Sequence, residues 1–387
     1  MIPPKKNFLL VFLFLGVLAI VGCASAVNPK DLANSENTDT VSYPVPVIST
    51  NIEQSFSTRV PGRLGTPIAR SHAAMIFDSK RGVMVLFGGT SDSAYLNDTW
   101  EYDGSQWYLV ETSVSPPARV LHEMAYDPER ATTILFGGEI KTEYDGTQYL
   151  HNTVYGDLWE YDGQKWRQIQ AAEMPSPRTR FSMSYYPLEK AVFIVGGNDG
   201  GPTSTSGTNG DAWLYDGFFW PGGINNQGSR NDELMYHYFN LSNSEMIYDE
   251  NRQQLIIMTG QRRYYTLEFD GKAWEAYQSV VVVNEDSERF LQQDYALCYD
   301  QHRGVSVLFG GLSAKAGAES FPLNDTWEYD GESWTKADPT NSPSPRSGHA
   351  MAYDEVRKVT VLFGGIDADG NRLNDTWEYD GTTWIQR

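Results

Sequence analysis

One twelve-residue phrase constrains this 387-residue chain more than any other feature. It reads LNDTWEYDGTTW at Leu373 to Trp384, LNDTWEYDGESW at Leu323 to Trp334 and LNDTWEYDGSQW at Leu96 to Trp107. Extended backwards, it becomes a unit of about 50 to 60 residues written six times, a period that belongs to arrays of identical structural units. A double glycine recurs at Gly88-Gly89, Gly137-Gly138, Gly196-Gly197, Gly310-Gly311 and Gly364-Gly365, and the fourth copy replaces it with Thr259-Gly260. An Asp-Gly pair opens the end of every copy, and a tryptophan follows at Trp107, Trp166, Trp220, Trp274, Trp334 and Trp384.

Each unit parses into four strands. In the sixth copy, HAMAYD alternates and ends in a turn (strand a), and KVTVLFGG is an apolar run stopped by glycines (strand b). DTWEYD alternates again (strand c), and Asp-Gly is a hairpin signal leading into TTWIQ (strand d). Four-stranded units repeated in this way predict an all-β, six-bladed β-propeller with four antiparallel strands per blade. The apolar strand, Gly-Gly and spaced Tyr and Trp resemble the Kelch motif of the galactose oxidase-type propellers, over residues 52–387. The resemblance speaks for the fold and little for function, because one fold hosts many roles.

Formal net charge is -20, which speaks against nucleic acid, since phosphate binding needs clustered Lys and Arg. Lys5 and Lys6 precede an apolar run from Phe8 to Val21, too short to span a membrane. Ile20-Val21-Gly22-Cys23 resembles the lipobox of bacterial lipoproteins, which implies a signal peptide over 1–22 and lipid on Cys23. Secretory cleavage after Ala24-Ser25-Ala26 is the alternative. Residues 23–51 read as a flexible tether. The expectation is an exported monomer held to the cell membrane or envelope by lipid alone, with no cofactor. Cys298 is then left without a disulfide partner.

The eleven tryptophans all fall at repeat positions of strands c and d, so packing between blades accounts for them. Strands alternate in direction, which puts the tight a-b and c-d turns on one face and the b-c and d-a loops on the other. The long insertions, about 139–156, 198–210, 221–245, 276–290 and 312–322, all belong to the second face, where a rigid scaffold carries recognition. Arg70, Arg119, Arg178 and Arg346 open strand a in four copies, at the blade end where Asp98, Asp157, Asp211 and Asp375 open strand c. They are either a repeated Arg–carboxylate tie or a ring of guanidinium groups for an acidic partner, as in some Kelch domains. The fourth copy lacks both residues, and in the fifth Gln292 replaces the arginine while Asp325 stays. Tyr144, Tyr149, His151 and Tyr155 crowd one b-c loop, and Tyr236 and His237 lie in the third-to-fourth connection with Phe218, Tyr238 and Phe239. Such clusters suit a protein or glycan partner at the cell envelope.

An enzyme is the alternative. Galactose oxidase-like chemistry would draw on Cys298, which lacks a recognisable histidine pair. A sugar mutarotase- or epimerase-like enzyme needs only pocket acids, bases or arginines. Asp367, Asp369 and Asn371 alternate like a calcium loop but lack its later bidentate Glu, so they form a weak metal candidate. His122 and His349 recur at one place in strand a and read as structural, and His72 is one residue out of step.

Overall fold

The computed structural model describes residues 62–144, 149–171, 173–199, 211–217, 243–259, 265–270, 274–278, 290–314 and 320–387. Six antiparallel sheets stand around a common axis, and every described regular element is a strand. The innermost strand a is Ala74–Asp78, Glu123–Asp127, Ser182–Tyr186, Glu245–Asp249, Ala296–Asp300 and Ala350–Asp354 in blades 1 to 6. Each strand a contacts strand a of the next blade, and the sixth contacts the first. Strands b, such as Val83–Phe87 and Ala191–Val195, are buried on both sides, which is why they read as unbroken apolar runs. Blade 3 shows strands a to c, and its fourth lies outside the described residues. The degenerate fourth copy still folds as four paired strands; its Val280 to Val283 run lies outside them.

The repeated phrase is a set of ties between neighbouring blades. The strand-d tryptophan donates to the Thr Oγ1 that opens strand c of the preceding blade: Trp166 to Thr99 at 2.8 Å, Trp334 to Thr266 at 3.0 Å and Trp384 to Thr326 at 3.0 Å. The strand-c tyrosine donates to the strand-c glutamate of the preceding blade, as Tyr161 does to Glu101 and Tyr329 to Glu268, both at 2.8 Å. That glutamate also receives the hairpin arginine of its own blade, Arg81 or Arg252, which is braced by Asp78 or Asp249. The glycine of Asp-Gly packs on this arginine. Gly163 has φ +89°, and a Cβ there would come within 2.6 Å of Arg81 Nε.

Ring closure uses the same chemistry. Trp107 donates to Thr376 at 2.9 Å and Tyr102 to Glu378 at 3.0 Å, so blade 1 grips blade 6 as blade 2 grips blade 1. Blade 6 supplies its own outer strand, Trp384–Gln386. Residues 52–60, a candidate for an added strand beside it, lie outside the described residues. The segment that follows, Arg63–Gly65, pairs with Trp107–Val110 and gives blade 1 a fifth strand.

One junction departs from the grammar. Blade 3 has Tyr186, Glu189, Ala212 and Leu214 where the other blades have the hairpin Asp, the Arg, the Thr (Leu158 in blade 2) and the Glu, and blade 4 answers with Phe269 in place of Tyr. The Tyr–Glu and Asp–Arg ties lose both halves together, while Trp274 is kept although Ala212 stands for the Thr. The seam becomes an apolar cluster in which Phe193 stacks on Phe269 and Tyr186 meets Tyr248 edge-on.

Candidate functional site

The four arginines are ties. Arg70, Arg119, Arg178 and Arg346 are no more than 1% exposed, and each makes a two-pronged bond to the aspartate of its own blade, with N–O distances of 2.7–2.9 Å. The same Nη1 donates to the first carbonyl of the double glycine, Gly88, Gly137, Gly196 or Gly364. The strand-c indole completes the site by donating to the aspartate, as Trp159 does to Asp157 at 2.7 Å. Burial opposes ionisation of Asp157, Asp211 and Asp375, yet the arginine and indole hold all three below the usual carboxylate range. These guanidinium groups therefore do not form a free ring for an acidic partner. In blade 5, Asp325 turns to Lys336 Nζ at 2.7 Å. Tyr155 is a platform for Arg119, whose guanidinium carbon sits 4.2 Å from the ring centre.

Two residues after each of these starting positions comes a residue in the left-handed region: His72, Leu121, Arg180, Asn243, Asp294 and Gly348, with φ between 55° and 62°. The conformation turns the backbone towards the neighbouring blade. His72 N–H bonds the Gly348 carbonyl, Gly348 N–H that of Asp294, Arg180 N–H that of Leu121 and Asn243 N–H that of Arg180. The conformation repeats six times while the residue differs every time. A side chain here costs about 1–2 kcal/mol relative to glycine, so the fold itself does not ask for His, Arg or Asp.

Their side chains meet across the axis. His72 passes over Gly348, where a Cβ would come within 2.9 Å of the imidazole, and its Nε2 lies 3.7 Å from Asp294 Oδ2. Arg180 Nη1 lies 3.7 Å from Asp294 Oδ1 and donates to Asn243 Oδ1. Burial would raise Asp294, but His72 and Arg180 bring its carboxyl below the usual range. Asp294, Arg180 and Asn243 were not singled out in the sequence. The signal available was a position that differs in all six copies two residues after an arginine kept in four, and His72, out of step, was its visible member.

Walls rise on opposite sides of this cluster. Blade 2 carries the hairpin Glu139–Tyr144 with Tyr149–Val154 in its b-c connection. Blade 5 carries the small sheet of Phe290–Gln293, Leu312–Ala314 and Phe321–Pro322, whose first strand runs directly into Asp294. Blades 2 and 5 are opposite in a six-membered ring, and these insertions are ordered strands rather than irregular loops. The backbone register sets Tyr144 opposite Tyr149 and Thr142 opposite His151. Tyr236 and His237, with Phe218, Tyr238 and Phe239, lie outside the described residues. The opposite face consists of tight turns whose aspartates accept their own backbone N–H groups, as Asp103 and Asp380 do.

Below the cluster, the strands a enclose a lumen of about 420 Å³. Five methionines and Leu297 occupy the second position of these strands, and Phe77, Tyr126, Tyr185, Tyr248, Tyr299 and Tyr353 the fourth; all are in its lining. His122 and His349 stand edge-on to Phe87 and Phe309, and burial, then the nearby arginine, lowers each to about 3. Cys298 is buried, lies 3.4 Å from Thr360 Oγ1, and is pushed by burial to about 12, so its thiol is not poised to react. Asp367 caps its own turn, accepting from the backbone of Asp369 and Asn371 and from the Asn371 amide. No group of three or more metal-ligating side chains occurs among the described residues.

The model of the KLHDC2/KLHL20/DRC7 Kelch-repeats domain matches residues 35–217, a little under half of the chain. The structure of YjhT superposes with a TM-score of 0.58 at 13% identity, covering 83% of this chain and 98% of that one. The fold is a six-bladed Kelch-type β-propeller. The flagellar outer arm dynein alpha chain of Chlamydomonas reinhardtii is 29% identical over 158 residues. That match takes in 38% of this chain and 3% of the dynein chain, so this chain spans only a small part of that relative's length.

Proposed function

We propose that this Kelch propeller is a binding scaffold that recognises a protein or glycan of the cell envelope through its b-c/d-a face. We infer further that the chain is exported and anchored by lipid on Cys23. The face reading is supported by one arrangement: two walls on opposite blades flank His72, Arg180, Asn243 and Asp294, whose identities the blade grammar does not require. Preformed strands around a rigid ring lose little entropy on binding, which favours capture by shape and charge. Tyr149 and Tyr236, read from the sequence as aromatics of the loop face, would supply contact area.

The test compares capture from a labelled envelope fraction and from a glycan array by the intact protein and by two variants. Arg180→Ala/Asp294→Ala and Tyr149→Ala/Tyr236→Ala are each expected to weaken capture of the same species by about ten-fold or more while the fold is kept. Capture unchanged in both would move the site off this face. For the anchor, Cys23→Ser should shift the protein from the membrane to the soluble fraction, and identical partitioning would refute lipidation. Change of optical rotation of a reducing sugar on adding the protein would favour the enzymatic reading instead.

A further inference from the structure

The lumen carries carboxyl groups that neither the blade ties nor the loop face uses. Glu123 of blade 2 and Glu245 of blade 4 stand at the first position of strand a, at the loop-face end. Glu250 of blade 4 and Glu355 of blade 6 stand just past the last position, at the tight-turn end. The described lining contains no lysine or arginine, and none of the four carboxylates has a basic partner among the described residues. Gln301 Nε2 donates to Glu355 at 2.8 Å, a neutral contact that leaves the charge in place. Between the two ends, the wall is thioether and aromatic: methionine side chains adapt to an aliphatic chain, and aromatic rings favour cations.

Length selects among cations. Glu250 follows Glu245 by five residues, across strand Glu245–Asp249 and into its turn, a reach of up to about 17 Å at the rise of a β-strand. A single metal ion does not bridge such a span. An extended aliphatic chain with an ammonium at each end does, and spermine has about that reach.

We propose that the lumen is a binding site for a linear polyamine, with one terminal ammonium between Glu123 and Glu245, the other between Glu250 and Glu355, and the methylenes along the methionine and aromatic wall. The site adjoins the loop-face cluster, whose Asp294 acts on Glu245, but uses other residues and does not rest on the face reading. At the loop-face end, Glu123 and Glu245 hold protons at pH 7. Burial first and then the Glu245 charge raise Glu123 well above the usual range, and burial and then Asp294 raise Glu245 to about 8. Burial, then Glu355 and Asp249, also raise Glu250. His122 and His349, the imidazoles of the lining, stay neutral at pH 7, with Arg119 and Arg346 beside them already paired. An arriving ammonium therefore displaces protons from Glu123 and Glu245 to the buffer.

Calorimetric titration of the intact protein with spermine at pH 7, in two buffers of different ionisation heat, tests this. The expected result is one site per chain with net proton release. Glu123→Gln/Glu245→Gln and Glu250→Gln/Glu355→Gln should each weaken it by about ten-fold or more, with thermal melts verifying the fold. Butylammonium, with one charged end, should bind more weakly and respond to one pair only. Several weak sites untouched by either double variant would mean attraction to the acidic surface of a chain of net charge -20 and would overturn the proposal. Loss with one pair alone would overturn the two-ended ligand.

Discussion

Arg119→Ala is expected to lower the stability of the propeller by about 3–5 kcal/mol, the penalty for breaking a buried ion pair from one side. Arg119 is fully buried; it bonds Asp157 at 2.7 and 2.8 Å, the Gly137 carbonyl at 2.8 Å and the Pro117 carbonyl at 3.0 Å. Truncation leaves two carbonyls without their donor, a carboxylate without its counter-ion and a void under Tyr155. Arg119→Lys should recover only part of the loss, because an ammonium does not reproduce the two-pronged bond. Arg167→Ala is the control: Arg167 also meets a carboxylate, Glu160, but is 68% exposed, and its loss should be within about 0.5 kcal/mol. Urea denaturation measures all three. A loss near 1 kcal/mol for Arg119→Ala would mean that the Arg–Asp ties decorate blades already held by their cores.

The second expected result concerns pH. His122 and His349 have folded values of about 3 against 6.5 unfolded, so between these values the unfolded chain holds more protons, and stability falls as the solution is acidified. Glu123 and Glu245 act in the opposite sense. Their folded values are raised from 4.5, Glu245 to about 8, so their contribution to stability is complete below 4.5 and is lost as pH rises towards 8. Each group supplies at most about 1.4 kcal/mol per pH unit. Between pH 4.5 and 6.5 the two pairs oppose each other, and the intact protein should show a nearly flat profile there.

The variants separate them. His122→Phe/His349→Phe should become more stable towards acid across that window, and Glu123→Gln/Glu245→Gln less stable. Phenylalanine is a tested occupant of this position, since Phe181 already fills it in blade 3, edge-on to Phe136 at 5.6 Å. Below 4.5 the wild-type protein should lose stability through the histidines and through the depressed carboxyls Asp157, Asp211 and Asp375. Denaturant midpoints from pH 4 to 8 give the comparison, and parallel profiles for both variants would exclude this assignment.

The sequence made the blades legible because their signals are local. Apolar runs bounded by glycines, alternation of period two and Asp-Gly turns each act within a few residues, and six copies in register leave little freedom of parse. The ties were half legible. Arg70, Arg119, Arg178 and Arg346 travel with an aspartate and vanish with it in the fourth copy, but spacing alone did not say that the aspartate, the glycine carbonyl and the carbonyl two residues earlier together occupy the guanidinium group. At the seam between blades 3 and 4, Tyr186, Ala212, Leu214 and Phe269 follow no local pattern, and only their contact makes them one exchange of polar for apolar packing.

Blade number, strand boundaries, the face that carries the insertions and the packing role of the tryptophans were thus determined by the sequence alone, since repetition and short-range turn chemistry carry that information. The tertiary structure decided what stands at the axis. His72, Arg180 and Asp294 lie more than a hundred residues apart in sequence, as do Glu123 and Glu245, and no local pattern links them. Closing the ring brings the start of every innermost strand to the same axis, so positions that vary freely within the repeat become neighbours there.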